Sequence, residues 1–151
     1  MPEASASVII NHPAATVWEW CQDPDNVAAY LPGTLSISSD GKPMAVGSQW
    51  SGKTRVLGKT MDWTGEFTRV DAGKGTEFTT TRSAFAMTSW TELEETGEGT
   101  QFSFRMVTEA GLGGLFGRLA DAVVTRSYQH ALTGGVEAIP DLVDAWVADR
   151  A

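Results

Sequence analysis

Positive charge is scarce in this chain. Eleven Lys and Arg residues face nineteen Asp and Glu, a formal net charge of -8 at pH 7 over 151 residues. The basic footprint that nucleic acid requires is missing, and bulk attraction to anionic lipid headgroups is missing with it. Cysteine is rarer still. Cys21 stands alone, so no internal disulfide can form and no thiolate set has metal-ligand spacing. The two histidines, His12 and His130, join no Asp or Glu cluster that could hold a metal. No apolar run approaches the roughly 20 residues of a membrane span. The N-terminal MPEASAS lacks the basic-then-apolar order of a secretory signal. A soluble, cytoplasmic protein without nucleic acid, metal or cofactor is expected.

What remains is ordinary globular composition, with 42% hydrophobic and 20% charged residues. The length suits one domain over residues 1–151, large enough to bury a core without staples. Six tryptophans stand out: Trp18, Trp20, Trp50, Trp63, Trp90 and Trp146. They serve either a core of large residues or the aromatic walls of a pocket.

Residues 5–11 (SASVIIN) form a β-branched run that His12-Pro13 breaks. PAATVWEWCQ then carries apolar residues at helical spacing with Pro in the first turn. Asp23-Pro24 closes that helix, and a second short one ends at Pro32-Gly33. From 35 to 109 the period becomes two. Segments 35–39, 48–57, 60–70, 76–83, 85–94 and 100–108 alternate, and the links between them are too short for crossover helices, so an antiparallel meander is expected. Residues 115–149 read as helix, bent near Gly134-Gly135 and Pro140. Its apolar stripe is Phe116, Ala120, Val124, Tyr128, Ala131, Leu132, Gly135, Ile139, Leu142 and Trp146, with Arg126, His130, Thr133, Glu137, Asp141 and Asp144 opposite.

One motif invites a sharper interpretation. GSQWSGKT (47–54) satisfies the phosphate-loop pattern G-x-x-x-x-G-K-[ST]. That loop needs a buried strand before it and a helix N-terminus after it. Here Lys42-Pro43 precedes it, RVL follows Thr54, and Gly-Lys-Thr recurs at 58–60 in a hairpin turn. The match is accidental.

The order of elements, and the stretches VIINHPAATVWEWCQDPDNVAAYLPG, DWTGEFTRVDAGKGTEFTTT, WTELEETGEGTQFSF and GLFGRLADAVVTRSYQHAL, resemble the START-like (SRPBCC) superfamily. Within it they resemble the polyketide cyclase/dehydrase and lipid-transport family. The segment VWEWCQDPDNVAAYLPG is also similar to an accessory subunit of carbon-monoxide dehydrogenase. The resemblance implies an α+β helix-grip fold, with a curved seven-stranded antiparallel sheet around a long C-terminal helix and two short helices after the first strand. It implies an apolar small-molecule ligand between sheet and helix. These are signatures of fold, and one fold hosts many functions.

Alternation then selects the inward residues. They are Trp50, Thr54 and Val56; Met61, Trp63, Gly65 and Phe67; Phe78, Thr80 and Arg82; Phe85, Met87, Ser89, Thr91 and Leu93; Phe102, Phe104 and Met106. The helix adds Leu119, Val123, Val124, Tyr128, Ala131 and Leu132. The candidate ligand contacts among them are Trp50, Trp63, Phe67, Phe78, Thr80, Arg82, Met87, Ser89, Thr91, Phe104, Met106, Val124, Tyr128 and Leu132. Only Arg82 and Tyr128 bring reactive groups, and they are the weak catalytic candidates. The Gly111–Gly117 run is taken as a gate. Three functions stay open: binding of a lipid, quinone or polyketide; a cyclase or dehydratase that templates a reactive chain; and an accessory interaction module. The chain is expected to be a monomer or a dimer.

Overall fold

The computed structural model describes residues 3–56, 58–83, 86–108 and 118–150, the side chains of 118–121 excepted. Strand β1 (Glu3–Ile10) leads into two short helices, α1 (Ala14–Cys21) and α2 (Pro24–Tyr30). Six strands follow: β2 (Thr34–Ser39), β3 (Gln49–Val56), β4 (Lys59–Asp71), β5 (Gly75–Ser83), β6 (Met87–Thr96) and β7 (Gly99–Thr108). Helices α3 (Arg118–Glu137) and α4 (Ile139–Arg150) complete the chain. The strands form one antiparallel sheet in the order β1-β7-β6-β5-β4-β3-β2. This is the helix-grip arrangement expected from the sequence. No helix among the described residues is long and apolar enough to cross a membrane.

Local chemistry sets the short elements. Asp23 caps α2, its side chain accepting from the Asp25 N–H at 2.9 Å, and Pro24 fills the first helical position, where no donor is needed. Helix α1 has no cap of its own, and Glu95 at the end of β6 accepts from the Ala14 N–H at 3.3 Å. The expected bend in the C-terminal helix falls at Ala138, whose N–H is shared between the Gly134 and Gly135 carbonyls, both at 3.2 Å. Pro140 follows, unable to donate.

The helices are tied to the first edge strand. The Gln129 amide takes both backbone groups of Ser5, accepting from its N–H (2.9 Å) and donating to its carbonyl (2.7 Å). An unpaired sheet edge is thereby covered. His12 Nε2 meets Asp144 Oδ1 at 2.6 Å, joining the β1–α1 turn to α4. Helices α2 and α3 touch through a glycine. A Cβ on Gly135 would collide with the Tyr30 carbonyl oxygen and lie 3.2 Å from its carbon. Only glycine lets the two backbones come so close.

Residues 49–56 are strand, with no helix after Thr54, as the sequence context of GSQWSGKT required. Lys53 lies on the exposed face, 3.6 Å from Asp62. The β4–β5 pairing carries two irregularities. The register shifts between Thr64 and Gly65 and again between Phe67 and Arg69, so one residue on a strand is left without an opposite number each time.

Buried apolar side chains gather in two clusters. The larger joins α1, α3 and α4 to β6 and β7 through Trp20, Phe102, Phe104, Leu132, Val136 and their neighbours. The smaller is aromatic, built on β2–β5 from Ile37, Trp50, Trp63, Phe67 and Phe78. Val27, Leu31 and Met87 are half-buried and pack against both. Among the described residues the clusters do not otherwise merge.

Candidate ligand-binding cavity

A cavity of about 90 Å³ lies along the seam between the two clusters. Its far wall is the aromatic cluster, and that wall is stiff. Trp50 meets Phe67 edge-on with centroids 5.1 Å apart, Phe67 meets Phe78 at 5.1 Å, and Phe78 meets Trp63 at 5.8 Å. Such edge-to-face pairs add to the burial of each ring. Two glycines seat the rings. A Cβ on Gly52 would fall 2.7 Å from Trp63 Cε2, and one on Gly65 2.6 Å from Phe78 Cε1. Trp63 Nε1–H also donates to Thr54 Oγ1 at 3.0 Å. Three methionines, Met44, Met87 and Met106, supply the yielding part of the lining.

The opposite end carries two phenols, Tyr30 and Tyr128. Tyr30, the last residue of α2, stacks on Trp20 at 6.0 Å and is held edge-on by Phe102 (5.6 Å) and Phe104 (5.9 Å). Burial pushes its phenol well above the ordinary value. Nearby Cys21 and Tyr128 push the same way, and the Thr91 hydroxyl beside it draws it partly back. Burial likewise raises the Tyr128 phenol and pushes the Cys21 thiol up to about 12. Thr91 lies opposite Thr76 on β5 and Phe104 on β7, and Ser89 lies opposite Phe78 and Met106. The hydroxyls of Thr76, Ser89 and Tyr128 make no hydrogen bond with a described residue, whereas Thr80 Oγ1 accepts from the Met87 N–H at 2.9 Å.

Eleven of the fourteen candidate contacts line this space. Trp50, Trp63, Phe67, Phe78, Thr80 and Met87 do so, as do Ser89, Thr91, Phe104, Met106 and Tyr128. Val124 and Leu132 are buried, but in the larger cluster behind the lining. Arg82 requires correction: it is exposed on the outer face. Simple alternation puts it with Phe78 and Thr80. Thr80 pairs with Gly65 and Arg82 with Thr64, so Thr81 is the extra residue of a bulge. One inserted residue carries everything beyond it to the other face. The helix phase also needs correction, since Val123 is 66% exposed and Ala131 is exposed. Phe85, Phe116, the Leu119 and Ala120 side chains and the Gly111–Gly117 gate fall outside the described residues.

Alternation within long strands could not reveal the residues contributed by the short helices. Trp18, Cys21, Val27, Tyr30 and Leu31 all line the cavity. Thr76 also does, and its place on the Phe78 face was the one available signal. His130 is exposed on α3, as its polar neighbours implied. Trp90 sits on the outer sheet face. Its Nε1–H donates to Glu77 at 2.8 Å and the Arg105 guanidinium lies 4.7 Å from its ring centre. No group of three potential metal ligands converges among the described residues.

The chain matches a family model described as polyketide cyclase / dehydrase and lipid transport, over residues 1–139. None of the curated proteins matches it in sequence. Solved structures share its fold at low identity. TTHA0849 from Thermus thermophilus superposes with a TM-score of 0.73 at 20% identity, covering 95% of this chain and 98% of that one. The ZhuI aromatase/cyclase from Streptomyces sp. R1128 gives 0.69 at 17% identity, covering 92% and 93%. Ara h 8.0201 gives 0.64 at 16% identity, covering 95% and 97%.

Proposed function

Because the chain belongs to the polyketide cyclase / dehydrase and lipid transport family, we propose that it binds an apolar small molecule in the cavity between the sheet and α3. The observation that carries this function is the seam itself. Trp50, Trp63, Phe67 and Phe78 bound an open space instead of closing onto the other cluster. Apolar walls with a few placed hydroxyls are the usual make-up of a small-molecule site.

Size narrows the ligand. The cavity holds about 90 Å³, whereas a dry cavity of about 150 Å³ admits benzene and drug-sized ligands need roughly 300–1,000 Å³. A single-ring compound therefore needs only a small displacement of the lining. A quinone with a side chain, a lipid or a folded polyketide needs Met44, Met87 and Met106 to move aside, which their flexible side chains permit.

Native mass spectrometry of freshly purified protein tests the proposal, together with a tryptophan-emission titration using small aromatic compounds. A co-purified or saturably bound apolar molecule that quenches emission is expected, since Trp50 and Trp63 line the site. Filling the cavity from the sheet by Ser89→Leu should abolish binding while the protein stays folded. Binding that survives Ser89→Leu places the ligand elsewhere.

A cyclase or dehydratase is the alternative activity. Ser89, Thr91 and Tyr128 could orient and polarise a carbonyl there. Arg82, exposed on the outer face, takes no part in it.

A further inference from the structure

Among the described residues that line the cavity there is no Asp, Glu, Lys, Arg or His. A carboxylate or ammonium placed there would lose its water and meet no counter-charge, which is the costliest way to bury an ion. What the lining offers instead is hydroxyl groups, and they are unevenly distributed. The aromatic end presents mainly ring faces, and two of its polar groups are already engaged: the Trp63 indole N–H by Thr54 and the Thr80 hydroxyl by the Met87 N–H. The other end presents two phenols, Tyr30 and Tyr128, with Thr91 beside Tyr30.

Tyr30 is held in place. Three rings fix Tyr30, and its backbone is pressed against Gly135, so its hydroxyl cannot swing away to another partner. The Tyr128 hydroxyl has no hydrogen-bond partner among the described residues. Burial keeps both groups protonated through the neutral range, and hence able to donate. One fixed phenol donor with a second beside it, at one end of an apolar lining without charge among the described residues, matches one acceptor oxygen on an otherwise apolar molecule.

We propose that the site selects uncharged single-ring compounds carrying a carbonyl-type oxygen, which sits at the Tyr30–Tyr128–Thr91 end while the ring lies toward Trp63 and Phe78. This selectivity rests on the binding function proposed above and adds to it the class of ligand.

Three probes of nearly equal size separate the two. Ethylbenzene offers the ring alone, acetophenone adds the carbonyl, and benzoate replaces it with a charge. Affinities would be measured at pH 7 by ligand-observed NMR titration. Acetophenone should bind about three- to tenfold more tightly than ethylbenzene, the worth of one net hydrogen bond, and benzoate should not bind detectably. Tyr30→Phe, which keeps the ring, should lower acetophenone to the level of ethylbenzene and leave ethylbenzene unchanged. Tyr128→Phe serves the same purpose if the first variant is poorly folded. The carbonyl stretch of bound acetophenone should shift to lower frequency in the wild type and return toward its free value in the variants. Equal binding of acetophenone and ethylbenzene, or benzoate binding as well as acetophenone, overturns the proposed selectivity and leaves cavity binding intact. Failure of all three probes overturns this proposal, and if native mass spectrometry also finds no bound apolar molecule it overturns the cavity function with it.

Discussion

Gly135→Ala examines the contact that holds Tyr30 in place. In an isolated helix this change stabilises by up to about 1 kcal/mol, because alanine loses less backbone freedom than glycine. Here the new Cβ would strike the Tyr30 carbonyl, with the carbonyl carbon at 3.2 Å and the oxygen nearer still. The obstacle is backbone, so no rotamer relieves it. Helices α2 and α3 must separate by about 1 Å to restore ordinary contacts near 3.5 Å. Overpacking of this kind costs about 1–3 kcal/mol, which leaves a net loss of up to roughly 2 kcal/mol after the gain in propensity is deducted. Gly134 is the control. It is the next residue in the same helix, and a Cβ there meets nothing within 4 Å. Gly134→Ala should therefore stabilise by up to about 1 kcal/mol. Urea denaturation should place Gly135→Ala about 1–3 kcal/mol below Gly134→Ala, equivalent to several degrees in Tm. The displaced Tyr30 should also remove the advantage of acetophenone over ethylbenzene in Gly135→Ala only. If both variants stabilise alike, the helices are not in contact at Gly135, and the account of how Tyr30 is fixed is wrong.

Arg82→Ala should leave the binding of any cavity ligand unchanged, because the side chain lies on the outer face; a loss measured in the same NMR titration would put Arg82 back inside. Cys21 should react with a disulfide reagent at pH 8 far more slowly than a free thiol, since burial pushes its pKa up to about 12 and leaves little thiolate. A fast native-state reaction would contradict that burial. Glu77 is held below its ordinary pKa of 4.5 by the hydrogen bonds of Thr68 and then Trp90. A depressed carboxylate stabilises the fold above its unfolded pKa and loses that contribution as pH falls through the folded one. Glu77→Gln should accordingly flatten the acid side of the stability curve below about pH 4.5, read by Tm against pH, and an unchanged curve would refute the assignment.

Strand alternation and turn chemistry made nearly all of the sheet legible. Both signals are local, so the six strands and their inward residues follow from the order of amino acids. Arg82 was misplaced because a bulge leaves no mark in the sequence: Thr81 resembles its neighbours, and only the pairing with β4 shows that it is the extra residue. The helix stripe was right at Val124, Leu132 and Ile139 but took in Ala131 and left out Val136 and Val143. Val136 and Val143 are fully buried in the larger cluster while Ala131 faces water. Tyr30 was missed for a different reason. Its importance comes from its neighbours at Trp20, Phe104 and Gly135, the last more than a hundred positions away, and no local pattern encodes that meeting.

The separation of the two apolar clusters bears on how the protein comes apart. Val27, Leu31 and Met87 are half-buried, and they pack against both. Cooperative unfolding depends on shared contacts, so the strands around Trp50 and Trp63 form a unit whose amides should exchange with solvent at lower free energy than those around Phe102 and Leu132. A molecule filling the seam would touch both units at once. Its occupancy would act as mortar, raising the exchange barrier of the weaker unit toward that of the stronger and fusing two melting events into one.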